Sequence, residues 1–197
     1  MNKKELLSLL VELDEALLEA FPGPEPIQVL VVGGACLLMA GVTERPTKDI
    51  DVIITDLFGT GEATLVYNLN KTTRKLRTLI RNIGKKHGLK GNDAMFINDD
   101  CAPFLLELGD IPPTRLLQAY QKLHLYIPQD LHYILACKLI AARPEKDYSD
   151  IATLRQLLRV ESRTQAEQIV NRYFPDPVLQ HTYDLPKTLD ELFGKKK

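Results

Sequence analysis

Leucines 6, 9, 10, 13, 17 and 18 recur at helical spacing, so residues 2–21 predict an amphipathic helix. "PGPEP" at 22–26 ends it, because three prolines in five residues cannot continue a helix. Residues 27–32 read as a short buried strand that stops at Gly33-Gly34, and 35–40 as a helix packed closely on the sheet. A loop over 41–48 leads to a second strand at about 50–54. From 62 to about 87 the pattern is helical again, with Leu76, Leu79, Ile80 and Ile83 on one face and Arg74, Lys75, Arg77, Arg81 and Lys85 opposite. Residues 92–113 fit either a short strand or a helix start. "KLHLYIP" at 122–128 predicts the last strand. Helices follow over 129–142, 147–158 and 164–173, the last with a capping box at Thr164 and Glu167, then a short one near 186–193. In the first of these Leu135, Leu139 and Ala142 form the buried stripe, and Lys138 sits beside it. The expected fold class is α+β, a small mixed sheet backed by helices. Residues 1–128 form its core and 129–197 a helical part that closes one side of a cleft, together one compact unit.

Composition changes this picture little. Hydrophobic residues make up 45% and charged residues 26%, values of a globular protein. The net charge of −1 says nothing about partners, but its distribution does. From Lys71 to Lys90 there are eight Lys or Arg and no Asp or Glu, leaving the rest of the chain near −9. A basic stripe on a mildly acidic body points to a polyanion contact on one face, with phosphate contact favoured over base stacking because aromatics are absent there. A solvated helix face is the plainer explanation. Cys36, Cys101 and Cys137 are odd in number and form no C-x-x-C pair, which argues against a disulfide framework or zinc site and for a cytoplasmic location. Acidic residues interrupt the N-terminal leucines, so they resemble no signal peptide, and no stretch is long and uncharged enough to span a membrane.

The candidate chemistry lies in "VVGGACLLMAGVTERPTKDIDVII", residues 31–54. Asp49 and Asp51 stand at i and i+2, a spacing that aims two strand carboxylates at one spot while Ile50 points to the core. Unpaired, they repel; a divalent cation with hard oxygen ligands resolves the conflict, and magnesium takes phosphate oxygens as its remaining ligands. Gly33-Gly34 offers bare backbone N–H groups at a strand-to-helix turn, suited to phosphate. Taken singly, the same features are a solvated strand end and a tight turn.

The string 31–54 closely resembles the signature of DNA polymerase β-like nucleotidyltransferases, in the version of the AbiEii toxin-like group and its uncharacterised bacterial relatives. "LACKLIAARPEKDYSDIATL", residues 135–154, resembles that group's helical motif, a Lys-Leu-x-Ala helix followed by Asp-x-x-Asp. The resemblance implies a nucleotidyltransferase-like fold and magnesium- or manganese-dependent transfer of an NMP from an NTP to an acceptor hydroxyl on RNA, tRNA or protein. It further implies a toxin or phage-defence setting with a cognate antitoxin. By the same resemblance Gly33 and Gly34 cradle the triphosphate, Asp49 and Asp51 hold metal, and Arg45, Thr47 and Lys48 edge the phosphates. Lys138 reaches triphosphate oxygens, and Asp147 or Asp150 completes the site. A glycine stands at 34 where many relatives have serine. For the third strand carboxylate Asp93, Asp99, Asp100 and Glu107 compete, with Asp93 preferred as a metal ligand.

Two other readings stand beside this one. The chain is a catalytically inactive nucleotidyltransferase-fold module that binds nucleotide, RNA or a partner protein, or it is an RNA-binding protein that uses only residues 71–90.

Overall fold

The computed structural model describes residues 1–55 and 71–194. The expected helix from 62 therefore lies outside the described residues as far as 70. Leucine periodicity becomes α1 (Lys3–Ala20), with Leu6, Leu9, Leu10, Leu13 and Leu17 buried. Leu18, expected on the same stripe, is 37% exposed, because one further residue turns the helix by about 100° toward water. Asn2 and Glu5 form a capping box at the helix start.

Strand β1 (Ile27–Val31) pairs antiparallel with β2 (Ile50–Thr55), placing Val31 opposite Val52. Between them α2 (Gly33–Met39) is buried from Ala35 to Met39. Helix α3 (Lys71–Lys86) turns Leu76, Ile80 and Ile83 into the core. The ambiguous stretch resolves into a 3-10 turn (Gly91–Ala94), the two-residue strand β3 (Ile97–Asn98) parallel to β2, and α4 (Ala102–Leu108). Next come β4 (Thr114–Ala119) and β5 (Leu123–Pro128), the latter parallel to β1. The sheet order is β3-β2-β1-β5-β4. Strand β4 was not anticipated. It lies at an edge and leaves Leu116 46% exposed, so its residues lack the apolar alternation of a half-buried strand.

Five helices follow: α5 (Leu131–Ala141), α6 (Pro144–Leu158), α7 (Arg163–Tyr173), α8 (Pro177–Thr182) and α9 (Leu185–Phe193). The capping box of α7 is Ser162 with Gln165, not Thr164 with Glu167. Both pairs fit the spacing, but the helix begins at Arg163 and takes Thr164 into its first turn. Helix α8, capped by Asp176, was also unanticipated. Among the described residues the molecule thus has nine helices and a five-stranded mixed sheet, an α+β architecture consistent with a nucleotidyltransferase-like fold.

The chain divides into two compact units, residues 1–102 with 114–127 and residues 103–113 with 128–197. The first holds the sheet. There Asp14 of α1, 6% exposed, accepts from the backbone N–H groups of Gln121 (3.1 Å), Lys122 (2.7 Å) and Leu123 (2.7 Å), satisfying the turn between β4 and β5. The second unit is helical and centres on α5, which buries seven residues around nearly its whole circumference.

Candidate active site

Strand β1 ends where the Val32 N–H donates to the Asp51 carbonyl at 2.9 Å. Gly33 then adopts φ +63°, and a Cβ added there would lie 2.6 Å from Asp51 Oδ2. Left-handed backbone and close approach each demand glycine, so this glycine does more than make a turn. It lets α2 start directly against a carboxylate. Gly34 lies in the first turn of α2. Gly33→Ala is expected to cost about 1–3 kcal/mol in backbone strain and to push the Asp51 carboxylate aside. A thermal melt reads the first effect, and loss of any cation-induced shift reads the second.

Ile50 is fully buried, so strand alternation sends Asp49 and Asp51 to its other side. Asn98 confirms the shared face. It pairs in register with Asp51 across parallel strands, and its Nδ2 donates to Asp49 Oδ2 at 3.0 Å. Sequence reasoning missed Asn98 because it looked for a third acid. The available signal was the "IND" run itself, a short polar strand end.

Other anticipated residues have partners of their own. Thr47 Oγ1 donates to the Asp49 carbonyl at 2.9 Å, closing the loop just before the carboxylates. Arg45 is exposed, its N–H donating to Thr43 Oγ1 at 3.1 Å. Lys48 and Asp93 form an exposed ion pair at 2.8 Å. The hydrogen bond to Asp93, and in smaller part the charge of Asp49, hold the Lys48 ammonium above its ordinary pKa. Asp99 is buried, and Arg77 Nη2 of α3 lies 2.6 Å from both of its oxygens. Among the described residues no group of three or more His, Cys, Asp and Glu side chains assembles into a metal cluster.

In the helical unit the structure brings Lys138, Asp147 and Asp150 together. Lys138 Nζ of α5 stands 2.6 Å from Asp147 Oδ1 and 2.9 Å from Asp150 Oδ2, with side-chain exposures of 7%, 0% and 2%. Arg143 adds a bond from Nε to Asp147 Oδ2 at 2.8 Å and one from its backbone N–H at 3.1 Å. Burial alone would raise the Asp147 pKa, but the bonds from Arg143 and Lys138 outweigh it and hold the carboxyl below its ordinary value. Spacing predicted Lys138 beside the buried stripe; it lies within it, as the countercharge of two acids. Cys36 is buried, which pushes its thiol up to about 12 and disfavours the nucleophilic thiolate.

A cavity of about 610 Å³ in the same unit is lined by Asp110, Asp130, Arg172, Tyr173 and neighbours, none of them an anticipated site residue. Asp130 is its hub. It accepts from the Tyr173 hydroxyl at 2.7 Å, from Arg172 at 3.2 Å and from the His132 backbone N–H at 2.9 Å.

Residues 8–86 match a family model described as a nucleotidyltransferase of unknown function (DUF6036). The match takes in Gly33, Gly34, Asp49 and Asp51. It supports a nucleotidyltransferase family, without singling out the AbiEii-like branch, and it ends before the Lys138 motif. No curated protein and no solved structure matches the chain. Among the described residues no helix is long and apolar enough to cross a membrane.

Proposed function

We propose that this chain transfers a nucleoside monophosphate from an NTP to an acceptor hydroxyl, with release of pyrophosphate, in the presence of magnesium or manganese. The observation that supports it most is Asp51 packed against a glycine in the left-handed conformation, with Asp49 on the same face, inside the span that matches the nucleotidyltransferase family. The donor set fits a hard divalent cation: two carboxylates side by side, one steadied by an amide. Such an ion, when bound, lowers the acceptor's pKa and neutralises charge on the leaving group. The chain's own residues do the rest. Gly33 lets the Asp51 carboxylate sit against the start of α2, and Thr47 fixes the loop that carries Asp49. Arg45 and Lys48 stay near water at the edge of that loop, where phosphate oxygens would meet them. Lys138, Asp147 and Asp150 enter this reading as a charge cluster that holds α5 to α6.

RNA is the acceptor class we favour. Arg74, Arg81 and Lys85 of α3 are exposed and make no ion pair among the described residues, whereas Arg77 and Lys86 are engaged by Asp99 and Glu12. Three unpaired cations along one helix face suit a phosphate backbone.

The experiment follows thermal stability with MgCl₂ and each NTP, then transfer of labelled NTP to RNA or to protein. A magnesium-dependent rise in Tm with one NTP is expected, together with its loss in Asp49→Ala and in Asp51→Ala. An NTP shift that survives both substitutions would reject the site. The reading of a non-catalytic module has one observation in its favour, the amide of Asn98 where a third acid would add charge. It expects nucleotide binding without label transfer to either acceptor.

A further inference from the structure

We infer that Asn98 is a positioning residue that keeps the Asp49–Asp51 face at two charges, so that the cation arrives together with the triphosphate instead of occupying the face beforehand; this rests on the nucleotidyltransferase reading above. The geometry begins with register. In parallel strands paired residues project to one side, and Asn98 is paired with Asp51. Its amide is held at both ends. Nδ2 donates to Asp49 Oδ2 at 3.0 Å, and Oδ1 accepts from the Asp100 N–H at 3.3 Å. The second contact sets which end of the amide faces Asp49, because an oxygen there would repel the carboxylate.

The consequence is electrostatic. An acid at 98 would set a third negative charge about one hydrogen-bond length from Asp49. Of the neighbouring acids, Asp99 is held by Arg77 and Asp93 by Lys48, and Asp100 gives its backbone N–H to Asn98. One Asp49 oxygen is tied to this neutral donor. Magnesium dehydrates reluctantly, and sites with one or two carboxylates complete its shell with substrate phosphates. Ligand charge sets affinity, so this face holds free magnesium weakly and the magnesium–triphosphate complex well. Cation and nucleotide then bind synergistically, each weak without the other.

Calorimetry and thermal shift with MgCl₂ alone, each NTP alone, and both together test this on the wild type, Asn98→Asp and Asn98→Ala. The wild type should respond only to the combination. Asn98→Asp should lose stability in EDTA and regain it with MgCl₂ alone, binding the free ion roughly tenfold tighter or more. Asn98→Ala removes the donor without adding charge. It should weaken magnesium–nucleotide binding by about tenfold, the usual effect of losing a group that orients a metal ligand. A wild type that binds magnesium equally well with and without nucleotide overturns this inference and leaves the nucleotidyltransferase reading standing. So does an Asn98→Ala protein indistinguishable from the wild type. A wild type that responds to no magnesium–nucleotide pair overturns both.

Discussion

Lys138→Met should unfold the helical unit at markedly lower urea concentration, with a loss of about 3–5 kcal/mol. The ammonium is 7% exposed and stands between two carboxylates that are themselves 0% and 2% exposed. Methionine fills similar volume, so packing is largely kept. The cost comes from two buried acids left to repel each other, with Arg143 still bonded to Asp147. A second substitution separates charge from shape. Lys138→Met with Asp150→Leu removes one acid as well, and part of the loss should return. If Lys138→Met alone leaves the urea midpoint unchanged, the cluster contributes nothing to stability, and the lysine is free for a ligand.

Asp14→Ala carries the other large effect, on the sheet-bearing unit. One carboxylate serves three backbone N–H groups, two in the turn between β4 and β5 and one at the first residue of β5. Hydrogen bonds to a charged acceptor are each worth about 1.5–3 kcal/mol and do not add fully, so a total of about 3–5 kcal/mol is expected. Asp14→Asn should fall between, because one oxygen becomes an N–H donor facing donors. Chemical denaturation gives the magnitude. Hydrogen exchange at Gln121, Lys122 and Leu123 locates it, since loss of protection should appear there first. Unchanged exchange at those amides would rule out the assigned role.

Much of this was legible in the chain, for identifiable reasons. Periodicity found α1, β1 and β2 because each buries a regular set of leucines, valines or isoleucines. Fully buried Ile50 between two acids was readable from alternation alone. What escaped depends on partners distant in sequence. Strand β4 has an exposed edge and so no apolar rhythm. The register of β3, two residues long, carries no pattern, and with it Asn98 stayed hidden. Lys138 was placed beside the buried stripe by spacing, yet its burial depends on acids nine and twelve residues later meeting it across a helix pair. The competing capping boxes of α7 differ only by where the helix starts, which local spacing does not decide.

A strand of two residues has scarcely any ladder to keep it in place. Next to β3, Asp99 is clasped by Arg77 from α3, a residue 22 positions earlier in the chain. The amide beside Asp49 is therefore seated by a remote helix as much as by its own sheet. Loosening that clasp, by high salt or by trimming the arginine, would let the rim of the sheet fray while its centre stayed intact. That clasp thus sits one residue from the group that steadies the carboxylates.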